Sequence, residues 1–123
     1  MRSQIGQFLQ YLRALDVASD RISNEHAGPS TLGNEMPVVV LTSESNQKNL
    51  DRYREIARRL AHPETLSADE ARSLIAEGKT IALVTCTIHS TEVGSTQMGM
   101  EFAHEVATTR DPQLRQDVGD RIR

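Results

Sequence analysis

Tryptophan is absent from these 123 residues, and two Phe and two Tyr are the whole aromatic content. Any core must therefore be built from aliphatic side chains, and the stacking platforms that single-stranded nucleic acid uses are missing. One cysteine, Cys86, rules out an intrachain disulfide framework and a multi-cysteine metal site. Neither sign of charge dominates: 14 Lys plus Arg face 17 Asp plus Glu, for a formal net charge of −3. The basic residues are scattered among acids, so the basic footprint of a nucleic-acid partner is lacking. No apolar run approaches the roughly 18 residues of a membrane span, and residues 1–7 carry no apolar stretch of a signal peptide. Internal repeats and low-complexity segments are also missing. What remains is modest: 28 of 123 residues are Leu, Ile, Val or Phe. That is just above the level of about 20% at which a highly charged chain reads as disordered. With so small a net charge, one folded domain with a lean core is expected.

Ile5, Phe8, Leu9, Leu12 and Leu15 recur at three-and-four spacing and predict an amphipathic helix over 3–17. After Ser19-Asp20, residues 21–26 read as extended, 28–35 as a turn rich in Gly, Pro, Ser and Asn, and 36–42 as a β-branched strand. Together they predict an antiparallel hairpin. Pro37 lacks an N–H and belongs at the strand's first residue or on an edge. Residues 43–46 offer N-caps to a helix with Leu50, Tyr53, Ala57 and Leu60 on one face and Lys48, Arg52, Glu55, Arg58 and Arg59 on a solvated one. His62-Pro63 ends it. Ser67 to Glu70 fits a capping box ahead of an apolar stripe of Ala71, Leu74 and Ile75, with Gly78 suited to a left-handed position past the helix end. Residues 81–88, Ile-Ala-Leu-Val-Thr-Cys-Thr-Ile, are nearly continuous in apolar character and predict a strand covered on both faces. Cys86 is expected there as a small buried hydrophobe. A last helix begins near Val93, with Met98, Phe102 and Val106 along it, and breaks at 108–112; the remaining tail is polar apart from Leu114, Val118 and Ile122. The fold class is α/β in one domain.

The segment with chemical promise is His89-Ser90-Thr91-Glu92, where the expected buried strand meets the next helix. Open α/β sheets hold ligands at the carboxyl ends of their strands, and an imidazole with a carboxylate suits Zn²⁺. Gly94 and Ser95 leave room for close backbone approach. Four His and ten Glu in 123 residues produce about 0.3 such pairs by chance, so the motif alone is weak. The plain alternative is that Glu92 caps its helix while His89 packs or hydrogen-bonds at the strand end. Glu101 and His104 have the spacing of a di-iron helix pair, but no second Glu-x-x-His exists to complete that site. Nor does His104 share a site with Glu92, about 18 Å away along the same helix. His26, beside the turn, and His62, at a helix end, read as structural, although a folded-over loop would bring His26 to a neighbouring site. The Gly28 to Gly33 loop has no Gly-Lys-Ser/Thr after it, which rejects a phosphate-binding reading.

Taken in order, these segments resemble the zinc carboxypeptidase family, the carboxypeptidase A-like metallopeptidases, and especially its large bacterial members. Residues 11–15 and 18–22 resemble the opening helix and first strand, 28–43 the first hairpin, 46–61 the helix of the bacterial subgroup, and 88–95 the zinc-binding His-x-x-Glu segment. The resemblance covers about residues 8–122. One departure is Leu32-Gly33-Asn34, where the family commonly has Glu-Gly-Arg; it touches no metal ligand. The resemblance implies an incomplete zinc carboxypeptidase fold: a partial mixed sheet with an antiparallel first hairpin and flanking helices. Residues 1–123 would form the amino-terminal part of a single catalytic domain. It places metal-ligand roles on His89 and Glu92, with one Zn²⁺ per complete domain and a third ligand, a histidine, beyond residue 123. The substrate-gripping arginines and the general-base glutamate also lie downstream, so no catalytic residue is carried over and the substrate-binding residues stay unknown.

The implied activity is hydrolysis of a carboxy-terminal peptide bond in a peptide or protein substrate, with these residues not a working enzyme alone. The resemblance also implies a secreted or periplasmic protein. Two other expectations stand beside it: a non-enzymatic α/β binding module, and a peptidase-derived pseudoenzyme. An exposed sheet edge would invite self-association.

Overall fold

A computed structural model of the chain describes residues 4–89, 91–119 and 121–122. Helix α1 (Gln4–Ala18) follows the expected three-and-four spacing and leads into a hairpin of β1 (Ile22–Pro29) and β2 (Glu35–Leu41). Four helices follow: α2 (Glu44–Gln47), α3 (Leu50–Leu60), α4 (Ala68–Glu77) and, after β3 (Thr80–Ile81), α5 (Gly94–Thr108). Helix α6 (Pro112–Gly119) and β4 (Arg121–Ile122) complete the order. The architecture is α/β, with helices flanking an antiparallel β1–β2 pair and a short parallel β3–β4 pair.

In the hairpin, Ile22 pairs with Leu41, Asn24 with Val39 and His26 with Pro37, and a bulge intervenes before Pro29 meets Glu35. Pro37 is tolerated inside β2 because a two-stranded sheet has only edge strands. Gly33, at φ +77° in the turn, adopts a conformation that side chains resist. Leu12 and Leu15 of α1, Ile22 and Leu41 of the hairpin, Ala103, Val106 and Ala107 of α5 and Val118 of α6 close into one buried cluster, with Phe8, Val39, Phe102 and Leu114 against it. Its members are aliphatic or alanine, as the scarcity of aromatics requires. Polar groups tie the same elements together. Asn24 Nδ2 donates to the Leu12 carbonyl in the interior of α1 at 2.8 Å. At the end of α5, Ser19 Oγ donates to the Ala107 carbonyl and Arg21 Nη2 to that of Thr109, satisfying acceptors that a helix end leaves open.

A second, smaller core lies between α3 and α4, where Ile56 and Leu74 are buried. The Ser67–Glu70 capping box is present in both directions. The α3 stripe centres on Ile56, with Leu50, Tyr53, Ala57 and Leu60 half-buried around it. Not all of the charged face is merely solvated: Arg52 forks onto Glu77, and Arg59 reaches Glu70. Two local expectations are corrected. Ile75 is exposed, and Leu74 is the α4 side chain buried against α3. Gly78 is extended at φ −63° rather than left-handed. Its small size has another cause: a Cβ there would lie 2.9 Å from the Leu74 carbonyl oxygen and 3.1 Å from Ile56 Cγ2.

These ion pairs give the α3–α4 unit an acid sensitivity. The Arg52 hydrogen bonds hold Glu77 below the usual carboxylate range, and the Ser67 amide and hydroxyl, then Arg59, do the same for Glu70. A carboxylate with a lowered folded pKa stabilises the fold above its unfolded value of about 4.3 and loses that contribution as pH falls through the folded one. Acidification below about pH 4.3 is therefore expected to loosen α3 against α4, read as faster amide exchange around Ile56 and Leu74. The double variant Glu70→Gln/Glu77→Gln should flatten this pH dependence. Both pairs are exposed, so the effect is modest and shrinks with added salt.

The largest departure from expectation concerns residues 81–88. Only Thr80 and Ile81 are in a strand, paired with Arg121 and Ile122. Residues 82–87 are irregular; Leu83 is 85% and Ile88 70% exposed. A covered strand needs ladder partners on its edges and layers on its faces, and among the described residues neither is present along 82–88. Cys86 is accordingly exposed rather than buried. Its sulfur still sits over α5, 3.2 Å from where a Cβ on Gly99 would be, so close backbone approach occurs at Gly99. Nothing lies within 4 Å of the corresponding position at Gly94. The tail is also more regular than its polarity predicts, forming α6 around buried Val118.

Candidate metal-binding pair

His89 and Glu92 meet in a tight loop ahead of α5. His89 Nδ1 lies 2.8 Å from Glu92 Oε1, and the His89 N–H donates to Glu92 Oε2 at 3.2 Å. The Glu92 N–H donates back to the His89 carbonyl at 3.1 Å. Both side chains stay open to solvent, 74% exposed for His89 and 45% for Glu92. The imidazole hydrogen bond, then the His89 and Ile88 amides, hold the Glu92 carboxyl below its ordinary range. At neutral pH it is an anion facing an imidazole nitrogen. Both carboxylate oxygens turn to His89, and Val93 at the cap position of α5 makes no side-chain cap bond. Glu92 is thus not spent on capping its helix.

The loop rests on a residue in a costly conformation. Thr87 has φ +58°, the one positive value among the described non-glycine residues. For a β-branched side chain this is an outlier, and such strain, of the order of 1–3 kcal/mol, persists only where the surroundings enforce it. Ser95 Oγ accepts the Thr87 N–H at 3.0 Å and donates to the Glu92 carbonyl at 2.7 Å. Thr87 Oγ1 lies 2.9 Å from both Ser95 Oγ and Thr96 Oγ1. No sequence signal reveals a positive φ at threonine, although the hydroxyl residues on both sides of the motif are visible in it.

The placement differs from expectation in one respect. His89 does not end a strand, because the segment before it is not one. Ser90 lies outside the described residues, as do the side chains of Ile5 and Ile122. His26 is exposed on β1, His62 faces Glu64 at 3.5 Å, and Glu101 and His104 line the exposed side of α5.

The family model for zinc carboxypeptidase matches residues 8–120. The chain belongs to the zinc carboxypeptidase family. No curated protein and no solved structure matches it. A zinc carboxypeptidase implies zinc, and the donor set can be tested against that ion. An imidazole nitrogen and an ionised carboxylate, already in contact, are suitable ligands. The 2.8 Å contact between them is a hydrogen bond, with a proton held where a cation would be shared. A catalytic zinc takes three protein ligands and a water, and no group of three or more His, Cys, Asp or Glu is close enough to hold a metal among the described residues. The pair fits as a partial donor set.

Proposed function

We propose that this zinc carboxypeptidase family member is part of a metallocarboxypeptidase, with His89 and Glu92 as two of the zinc ligands. The supporting observation is the convergence of His89 Nδ1 and Glu92 Oε1 to 2.8 Å within a chain matched to the family over residues 8–120. When bound in such a site, zinc polarises a carbonyl and lowers the pKa of its water, the chemistry that hydrolysis of a carboxy-terminal peptide bond needs. His89 would contribute its Nδ1 lone pair and Glu92 its charge, while the His89 amide orients the carboxylate through Oε2. A third protein ligand, and the groups that grip substrate, would come from outside the described residues, so two donors alone should hold the metal weakly. Calorimetric titration with Zn²⁺ at neutral pH tests the assignment. Binding is expected, and His89→Ala or Glu92→Ala should weaken it about ten-fold or more, since even outer partners of a zinc ligand matter ten- to a hundred-fold. Unchanged affinity in both variants would refute the ligand roles.

A second reading is favoured by the exposure of Leu83, Val84 and Ile88. Backbone without ladder partners beside apolar side chains invites pairing with another chain. The chain is then expected to self-associate with rising concentration in sedimentation velocity, and Leu83→Lys/Val84→Lys should remove the effect. A sedimentation coefficient independent of concentration would count against it.

A further inference from the structure

We infer that Ser95 is a positioning residue for the His89–Glu92 pair, acting through the strained backbone of Thr87. The inference rests on the reading of that pair as metal ligands. A β-branched residue at position 87, left to its own preference, is extended, and an extended chain would continue the direction of residues 81–88 and carry His89 away from α5. The φ of +58° at Thr87 instead turns the chain back. What enforces that turn is visible. Ser95 Oγ takes the amide hydrogen of Thr87 and gives its own hydrogen to the carbonyl of Glu92. One hydroxyl thereby joins the backbone two residues before His89 to that of Glu92 itself, closing a loop with both ligand residues inside. Thr87 Oγ1, bonded to Ser95 and Thr96, holds the strained residue from its side chain as well.

The test compares the full chain with Ser95→Ala, Thr87→Gly and the double variant Thr87→Gly/Ser95→Ala. Glycine adopts positive φ without steric cost, so it removes the need for the hydroxyl clasp. Two readouts are taken: amide hydrogen exchange at His89, whose N–H bonds to Glu92 Oε2 and needs no metal, and affinity for Zn²⁺ alone. Ser95→Ala is expected to speed exchange at His89 several-fold and to weaken Zn²⁺ binding about ten-fold, the lower end of the effect of an outer-shell partner. The urea midpoint and the exchange of Val106, in the same helix, should stay unchanged. The double variant should recover most of both losses, which a general weakening of α5 would not allow. Unchanged exchange at His89 in Ser95→Ala overturns the inference, as does a double variant as impaired as the single one. If the unaltered chain takes up no Zn²⁺, the metal reading fails by itself, and the exchange data still decide the role of the clasp.

Discussion

Leu12→Ala is expected to lower the unfolding free energy by about 3 kcal/mol, within the range of about 2–5 kcal/mol for such core truncations. Leu12 is 2% exposed and sits among Leu15, Ile22, Leu41, Val106 and Val118, contributed by α1, both hairpin strands, α5 and α6. Removing its isopropyl group opens a cavity in the cluster that these five elements share. Total stability of a domain is only about 5–15 kcal/mol, so the loss is a large share of it. The urea midpoint should drop with little change in slope. Ile56→Ala, equally buried but in the α3–α4 core, should by contrast speed amide exchange first in those two helices. Equal exchange effects of the two variants across all elements would show a single cooperative core instead.

Asn46→Ala should cost about 2–3 kcal/mol, the scale for leaving buried partners unsatisfied. Asn46 is 3% exposed. Its Nδ2 donates to Thr42 Oγ1 at 2.9 Å and to the Gly119 carbonyl at 2.7 Å, and its Oδ1 accepts from the Tyr53 hydroxyl at 3.2 Å. Thr42, fully buried, passes its own hydroxyl hydrogen to the Val118 carbonyl at 3.2 Å. This one amide therefore joins the end of the hairpin, α3 and the last turn of α6. Tyr53→Phe, which removes a single bond, should cost about 1 kcal/mol. Asn46→Asp should be worse than alanine at neutral pH, since an ionised carboxylate has no hydrogen to give to Gly119 or Thr42. Equilibrium urea unfolding of the three variants checks the ranking; an alanine variant as stable as the parent would show that the network is dispensable.

Asn46 also shows how far the residue pattern could be read. Residues 43–46 are recognisable as N-cap chemistry, and Ser43 does cap α2. Which of several capping residues turns inward depends on Gly119 and Tyr53, distant in the chain, and no local pattern encodes that. Gly78 repeats the lesson: a glycine after a helix is legible, but its reason is the Ile56 side chain of another helix. At the candidate site, the three-residue spacing allows His89 and Glu92 to meet, but the strand end expected to bring them together is absent. The Ser95 clasp and the strained Thr87 were not anticipated, because positive φ in threonine runs against its own preference.

The amino-acid order by itself determined α1, the hairpin, the Ser67–Glu70 box and the spacing that lets His89 reach Glu92. Each depends on residues close in the chain: a periodic apolar stripe, turn chemistry, or hydrogen bonds spanning three positions. Tertiary structure alone decided the fate of residues 81–88, the exposure of Cys86 and Ile75, the helical tail around Val118 and the inward turn of Asn46. The physical reason is that burial and strand pairing are properties of partners. An apolar run becomes a covered strand only where other segments supply a ladder and two faces, and beyond Ile81 the described residues supply neither.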